Sequence, residues 1–236
     1  MKYLPDHVKI MNGLVQRLLD WKYSCFFINI LIIVFLELAN TEQNSQGGGS
    51  FFRRLFLGVA MALIAYPLLK KSQHRLFMLA FFVLVSVFVQ AAYFLNREVE
   101  VTYYYIIHIA AVLRMSFMLL VLILIIRDIL SKKSLVSDDV MGALSVYLMF
   151  GLLFADAYIS VLALDPESTL SIPFEQLKIG DIYYFSYITL STIGYGDITP
   201  VSPIARALTI LEGVIGVMFL ATMVAKVVSE FSVHKE

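Results

Sequence analysis

Thr192-Ile193-Gly194-Tyr195-Gly196-Asp197 is the stretch that decides the fold. It follows an aromatic-rich apolar run, Ile182 to Ser191, and precedes Pro200 and a long apolar segment from Ile204 to Phe231. Carbonyls of an extended L-chain alternate sides. Turning several to one side takes positive φ at intervals, which Gly194 and Gly196 reach at little steric cost. Thr192 adds a hydroxyl oxygen at the inner end of such a row. The apolar run before it holds about ten residues, half of the roughly 20 that a helix needs to cross a bilayer core. Irregular backbone at membrane depth survives only where it is buried in protein or lines water. A re-entrant helix and loop inside an all-α integral membrane fold satisfies both conditions.

Composition agrees. Of 236 residues, 60% are hydrophobic and 15% charged, with a mean hydropathy of +0.82. A soluble domain carries far more charge. The formal net charge is zero, which removes any general attraction to nucleic acid. Cys25 is the sole cysteine, so neither an intrachain disulfide nor a cysteine-rich metal site is expected. His74 and His108 stand far apart with no ligand spacing around them. No catalytic motif stands out, so the chain reads as a non-enzyme without an organic cofactor.

Six segments reach spanning length: Trp21–Leu38, Leu55–Leu69, Leu76–Leu95, Tyr103–Ile126, Val140–Leu164 and Ile204–Phe231. Residues 1–20 carry charges throughout and do not read as a cleavable signal. Leu4, Val8, Met11, Val15 and Leu18 recur at helical spacing, with Pro5 suited to a first turn. That pattern fits an amphipathic helix on the membrane interface, or one packed on a cytoplasmic neighbour. Basic residues set the orientation. Lys70, Lys71 and Arg75 follow the second span, and Arg127, Lys132 and Lys133 follow the fourth. Both loops and both termini are therefore expected in the cytoplasm, with Asp165, Glu167 and Glu175 outside. Arg53 and Arg54 oppose this assignment, unless Glu37, Glu42 or lipid headgroups hold them. The polar stretch Thr41–Ser50 fits a flexible native loop and an inserted linker equally.

From Asp181 to Phe231 the chain resembles the pore module of tetrameric potassium channels: pore helix, filter and inner helix. It looks most like bacterial six-span members. The resemblance implies residues 21–130 as a charge-poor, voltage-sensor-like four-helix domain and residues 131–236 as the pore domain. Four copies would ring a common axis, each with three identical partners and surrounding lipid, in a multi-pass arrangement in a bacterial inner membrane. Thr192, Ile193, Gly194, Tyr195 and Gly196 would then form the selectivity filter, and oxygens of Thr192 to Tyr195 would replace the water around a permeant potassium ion. Asp197 would stand at the outer mouth. Tyr184 and Phe185 would form an aromatic cuff against Tyr195, and Ser191 would satisfy loose backbone groups. Gly216, together with Gly213, is the matching inner-helix hinge, although glycine in a helix also serves close packing. Ile188 occupies a position that is acidic in some relatives.

Several residues invite expectations of their own. Asp181, after Gly180, suits an N-cap. Glu212 is a carboxylate inside a span, expensive unless bonded, and is expected to reach hydroxyls behind the filter. Lys226 is expected to snorkel to the interface. Asp156 has no evident charged partner and points to Tyr183 or Tyr187. A voltage sensor places arginines at every third position. That register gives Tyr105, His108, Ala111, Arg114, Phe117, Leu120 and Ile123, with Arg114 alone reliably charged. Arg114 is expected to bond to polar groups or carbonyls, and voltage dependence to be near zero. The principal reading is passive potassium conduction. Its rivals are a weakly selective monovalent cation channel, a transporter with several degenerate filter loops, which a single filter disfavours, and a non-conducting scaffold subunit.

Overall fold

The computed structural model describes residues 21–39, 100–132, 135–164, 169–173 and 175–233. The helix expected for residues 1–20, the second and third expected spans, the 41–50 stretch, Arg53, Arg54 and the side chains of His74 and His108 lie outside what it describes. Every regular element among the described residues is a helix: α1 Lys22–Leu38, α2 Glu100–Ser131, α3 Ser137–Leu164, α4 Ile179–Leu190 and α5 Pro203–Val233. These correspond to the first, fourth, fifth and sixth expected spans and to the short apolar run. Helices α2, α3 and α4 begin or end past the apolar cores expected for them, while α1 keeps to its own. Among the described residues two stretches, Ser137–Leu162 and Pro203–Lys226, are long and apolar enough to cross a membrane.

Acidic residues open α3, where they favour the positive end of the helix dipole. Asp139 accepts the backbone N–H of Val136 at 3.0 Å, closing the first turn. Its neighbour Asp138 does something less local. It accepts the N–H groups of Tyr23 at 3.1 Å and Ser24 at 2.8 Å, and the Ser24 hydroxyl at 2.7 Å. Trp21, the N-cap of α1, supplies no side-chain cap. The orphan amides of α1 are therefore capped from α3.

The connection from α2 to α3, Lys132 to Val136, is short, so the two helices pack side by side as an antiparallel pair. Phe117, Val121 and Ile125 of α2 share one core with Tyr23, Phe26 and Ile30 of α1 and with Val146 and Met149 of α3. A second cluster joins Tyr158 and Leu162 of α3 to Ile182 and Phe185 of α4 and to Ile198. The short helix α4 is thus held by both cores.

A polar knot closes the end of the bundle that holds Lys22. The Tyr23 hydroxyl donates to Asp128 at 2.7 Å, and Lys22 and Lys132 approach the same carboxylate at 3.5 and 3.4 Å. Lys132 also pairs with Asp139, and Lys226 of α5 donates to the Lys132 carbonyl at 3.2 Å. Lys226, expected to snorkel into the interface, is thus tied to the α2–α3 connection. Asp128 lies beyond the apolar part of α2. Desolvation pushes its carboxyl up, but the Tyr23 hydroxyl and the Lys22 and Lys132 charges outweigh that and hold it below its ordinary value.

Candidate functional site

The helix α4 starts one turn earlier than its apolar pattern suggests. Lys178 is its N-cap, with extended backbone at φ −99° and ψ 153°. Asp181, expected as the cap, is the third helical residue, and its carboxylate accepts the Lys178 N–H at 2.9 Å. A carboxylate at that position satisfies the N-cap amide as the acidic half of a capping box does.

At the other end the helix unwinds into the segment 192–197. Thr192 N–H bonds to the Thr189 carbonyl at 2.9 Å, and Ile193 and Gly194 N–H groups both bond to the Ile188 carbonyl, at 2.9 and 3.1 Å. In a trans peptide the N–H of one residue points opposite to the carbonyl of the residue before. Amides turned back to α4 therefore aim the carbonyls of Thr192 and Ile193 away from it, toward the open side. Backbone angles continue the pattern. Thr192 has φ +59°, Gly194 +52° and Gly196 +81°, so the left-handed conformation returns at every second residue. Thr192 is the sole non-glycine with positive φ among the described residues. A β-branched residue avoids this region, and the sequence pattern shows only the glycines. Residues 191–197 all lie exposed on the single chain, including Ile193 at 54% and Tyr195 at 71%.

Behind the segment stands a wall of hydroxyls. Glu212 of α5 is fully buried. One of its oxygens lies 2.5 Å from the Ser186 hydroxyl of α4, and the other accepts the Tyr158 hydroxyl of α3 at 2.8 Å. Ser186 also reaches the Gly151 carbonyl at 2.8 Å, and Tyr158 stands 3.2 Å from Thr209. The expected bond from Glu212 to a hydroxyl is present, at Ser186 of α4. Tyr158 joins it without any signal in the sequence. Tyr187 donates to the Leu148 carbonyl at 2.7 Å, Tyr147 to the Leu190 carbonyl at 3.1 Å, and Ser191 to the Tyr187 carbonyl at 2.6 Å.

The two aromatics expected as one cuff separate. The Tyr184 hydroxyl donates to Asp197 at 2.9 Å, tying the far end of the segment to α4. Phe185 turns inward and meets Tyr158 edge to face, with ring centroids 5.0 Å apart. Beyond Asp197 a short clasp holds the chain. Leu170 and Pro200 form an antiparallel bridge, Ser171 N–H donates to the Thr199 carbonyl at 2.9 Å, and Val201 N–H donates to the Thr169 carbonyl at 3.0 Å.

The paired glycines of α5 differ. A Cβ on Gly216 would sit 2.6 Å from the Leu190 carbonyl oxygen, whereas one on Gly213 would meet nothing within 4 Å. Gly216 thus permits a close approach of α5 to the end of α4, and α5 runs unbroken through both positions.

Arg114 and Asp156 need a correction. They are each other's partner: Nε and a terminal nitrogen of Arg114 donate to the two carboxylate oxygens of Asp156 at 2.8 and 2.6 Å. Tyr183 adds a bond to Asp156 at 3.4 Å. Arg114, expected to bond to polar groups or carbonyls, finds its carboxylate on α3, because pairing across helices follows packing and leaves no trace in sequence spacing. Among the described residues no cluster of metal-ligating side chains appears.

Residues 142–232, from α3 through α5, match the model of a family described as "Ion channel". Two-pore potassium channel 4 of Arabidopsis thaliana is 47% identical over 49 residues, covering 21% of this chain and 17% of that protein. Potassium voltage-gated channel subfamily A member 10 of Mus musculus is 30% identical over 112 residues, covering 46% and 21%. Inward rectifier potassium channel Kirbac3.1 of Paramagnetospirillum magnetotacticum is 36% identical over 52 residues, covering 22% and 18%. The chain thus spans no more than 21% of the length of these curated relatives. No solved structure matches it. The family match and the two apolar helices together indicate a membrane protein, with residues 142–232 similar to ion channels.

Proposed function

We propose that this chain is one subunit of a homotetrameric, potassium-selective channel with six spans per subunit, in which Thr192 to Gly196 form the selectivity filter. The observation that carries the reading is the return of positive φ at Thr192, Gly194 and Gly196, with the amides of Thr192, Ile193 and Gly194 turned back to α4. That backbone aims a row of carbonyls at one side, and this side is exposed on the single chain. One strand supplies one oxygen at each level, so a cage around a dehydrated cation needs further copies facing it. Carbonyl rings of this kind replace the hydration shell of potassium. Asp197 stands at the end of the row, where its charge concentrates cations. The exposed Ile193 and Tyr195 side chains are then covered by neighbouring subunits.

The wall behind the strand supports the same reading. A filter must keep its width against the electrostatic repulsion of its own oxygens. Glu212, Ser186, Tyr147 and Tyr184 tie α4 and Asp197 to the scaffold from both ends. The α4 dipole points its negative end at the approach to the strand, which favours a cation there.

The test is flux through the purified chain in potassium-loaded vesicles. Potassium and rubidium should exchange and sodium should not. Gly194→Ala places a side chain on a positive φ, at about 1 kcal/mol or more per subunit, and should abolish or de-select the flux. Unchanged potassium selectivity in that variant would overturn the filter assignment.

A further inference from the structure

We propose that Arg114 and Asp156 form a fixed strut that positions the pore helix α4 from α2, and that Arg114 is not a charge that moves with voltage. The inference rests on the channel reading for the role of α4, while the strut itself stands on separate geometry.

Arg114 holds the one register position on α2 where a sensor-like charge occurs. Its guanidinium grips Asp156 with two short parallel bonds, the fork geometry that suits arginine and carboxylate. The Asp156 side chain is 5% exposed and that of Arg114 22%. Glu37, buried near the end of α1, adds its field at the guanidinium. The helices around the pair are tightly packed: Phe117 on α2 and Leu152 and Ala155 on α3 are buried in one cluster. A charge that travels along the membrane normal needs a succession of partners. Here a step of one turn in either direction would strip both bonds from Arg114 and leave Asp156 ionised in an apolar surround, an outcome far worse than the pair itself.

Asp156 has a second face. The oxygen that accepts the terminal Arg114 nitrogen also receives the Tyr183 hydroxyl at 3.4 Å. Tyr183 lies in the first half of α4, one residue before Tyr184, which holds Asp197. The line of contact therefore runs from α2 through α3 to the helix that carries the filter. Arg114 fixes the carboxylate, and the carboxylate fixes the start of α4. Arg114 and Asp156 are positioning residues, with no contact to the permeating ion.

The experiment uses the full chain in lipid and three variants: Arg114→Gln, Asp156→Asn and Tyr183→Phe. Deuterium exchange is followed separately for α2 and α4, beside rubidium-to-potassium permeability and the limiting voltage slope. Asp156→Asn and Arg114→Gln should speed exchange in both helices, in α4 by on the order of tenfold, and shift the permeability ratio. Tyr183→Phe keeps the ion pair and is the mildest change. It should speed exchange in α4 alone. The voltage slope should be the same in wild type and Arg114→Gln. If α4 exchange and the permeability ratio stay at wild-type values in all three variants, the strut does not position α4. A slope that falls when Arg114 is removed shows a moving charge and also overturns the proposal. A wild-type chain that conducts nothing, with α4 exchange responding as stated, would remove the channel reading and leave the strut standing.

Discussion

The helices α3 and α5 are alike in length and apolarity, yet the chain covers them very differently. In α3 61% of the most apolar window is buried, and in α5 only 11%. Helix α3 is wrapped by α1, α2 and α4, and Val146, Met149 and Leu152 are shut from all contact outside the chain. Helix α5 touches its own chain along one stripe, through Ala205, Glu212 and Gly216, and leaves Ile210, Val214, Val217 and Met218 bare. Apolarity places both helices in a membrane, but it does not say whether lipid or protein covers them. The difference teaches where the single chain ends as a structural unit. One helix is finished by its own sequence, and the other keeps an apolar face that its own chain does not cover.

The sharpest way to break this contrast is to charge the bare face. Val217→Asp, alone or with Val214→Asp, leaves the α3 core untouched. If α5 is covered by neighbouring subunits, the tetramer should disappear in native mass spectrometry while the monomer keeps its helix content. A variant that still assembles and conducts would show that this face meets water or lipid instead.

The next test uses the two glycines of the same helix. Gly216→Ala drives a methyl group into the Leu190 carbonyl, and overpacking of this kind costs about 1–3 kcal/mol. Thermal stability of the assembly should fall and ion selectivity should weaken, because the displaced group is the end of α4. Gly213→Ala meets open space and gains helix propensity, up to about 1 kcal/mol. Equal effects from the two would mean that helix flexibility, and not close approach, is what both glycines provide.

A smaller effect is expected from Tyr147→Phe on the buried partner α3. It removes one hydroxyl from the Leu190 carbonyl, worth about 1 kcal/mol. Melting temperature should drop by a few degrees, with conduction kept. The smallest effect is that of pH on the Lys22 end, where α3 and α5 are joined through Lys132. The folded-state pKa of Asp128 lies below its ordinary value, so its contribution is complete above about pH 4 and fades as pH falls through the lowered value. Partial exposure limits it to below about 1 kcal/mol. Asp128→Asn should lower stability at neutral pH by up to that amount, flatten the acid limb, and converge on the wild type at low pH.

The legible parts of this molecule were those written in short-range pattern. The Thr192–Asp197 segment, the short helix before it and the apolar spans at both sides follow from glycine placement and from run length. Glu212 could be anticipated to seek hydroxyls because a buried carboxylate has few alternatives. What the sequence hid was pairing across helices. Arg114 and Asp156 are 42 positions apart, and Lys226 and Lys132 are 94 apart. Nothing in either neighbourhood points to the other. Gly216 read as a place to bend, and its packing against Leu190 becomes visible only when both helices are in place. The start of α4 was misplaced because the carboxylate of Asp181 can serve from the third helical position as well as from the cap.

The cap that α3 lends to α1 bears on how the chain is made. Ser24 leaves the ribosome 114 residues before Asp138, which satisfies its amide and hydroxyl. Until then the N-terminal turn of α1 must draw on water or other acceptors. Helix α1 is thus made early but completed late, and its final seating waits for α3 to be synthesised.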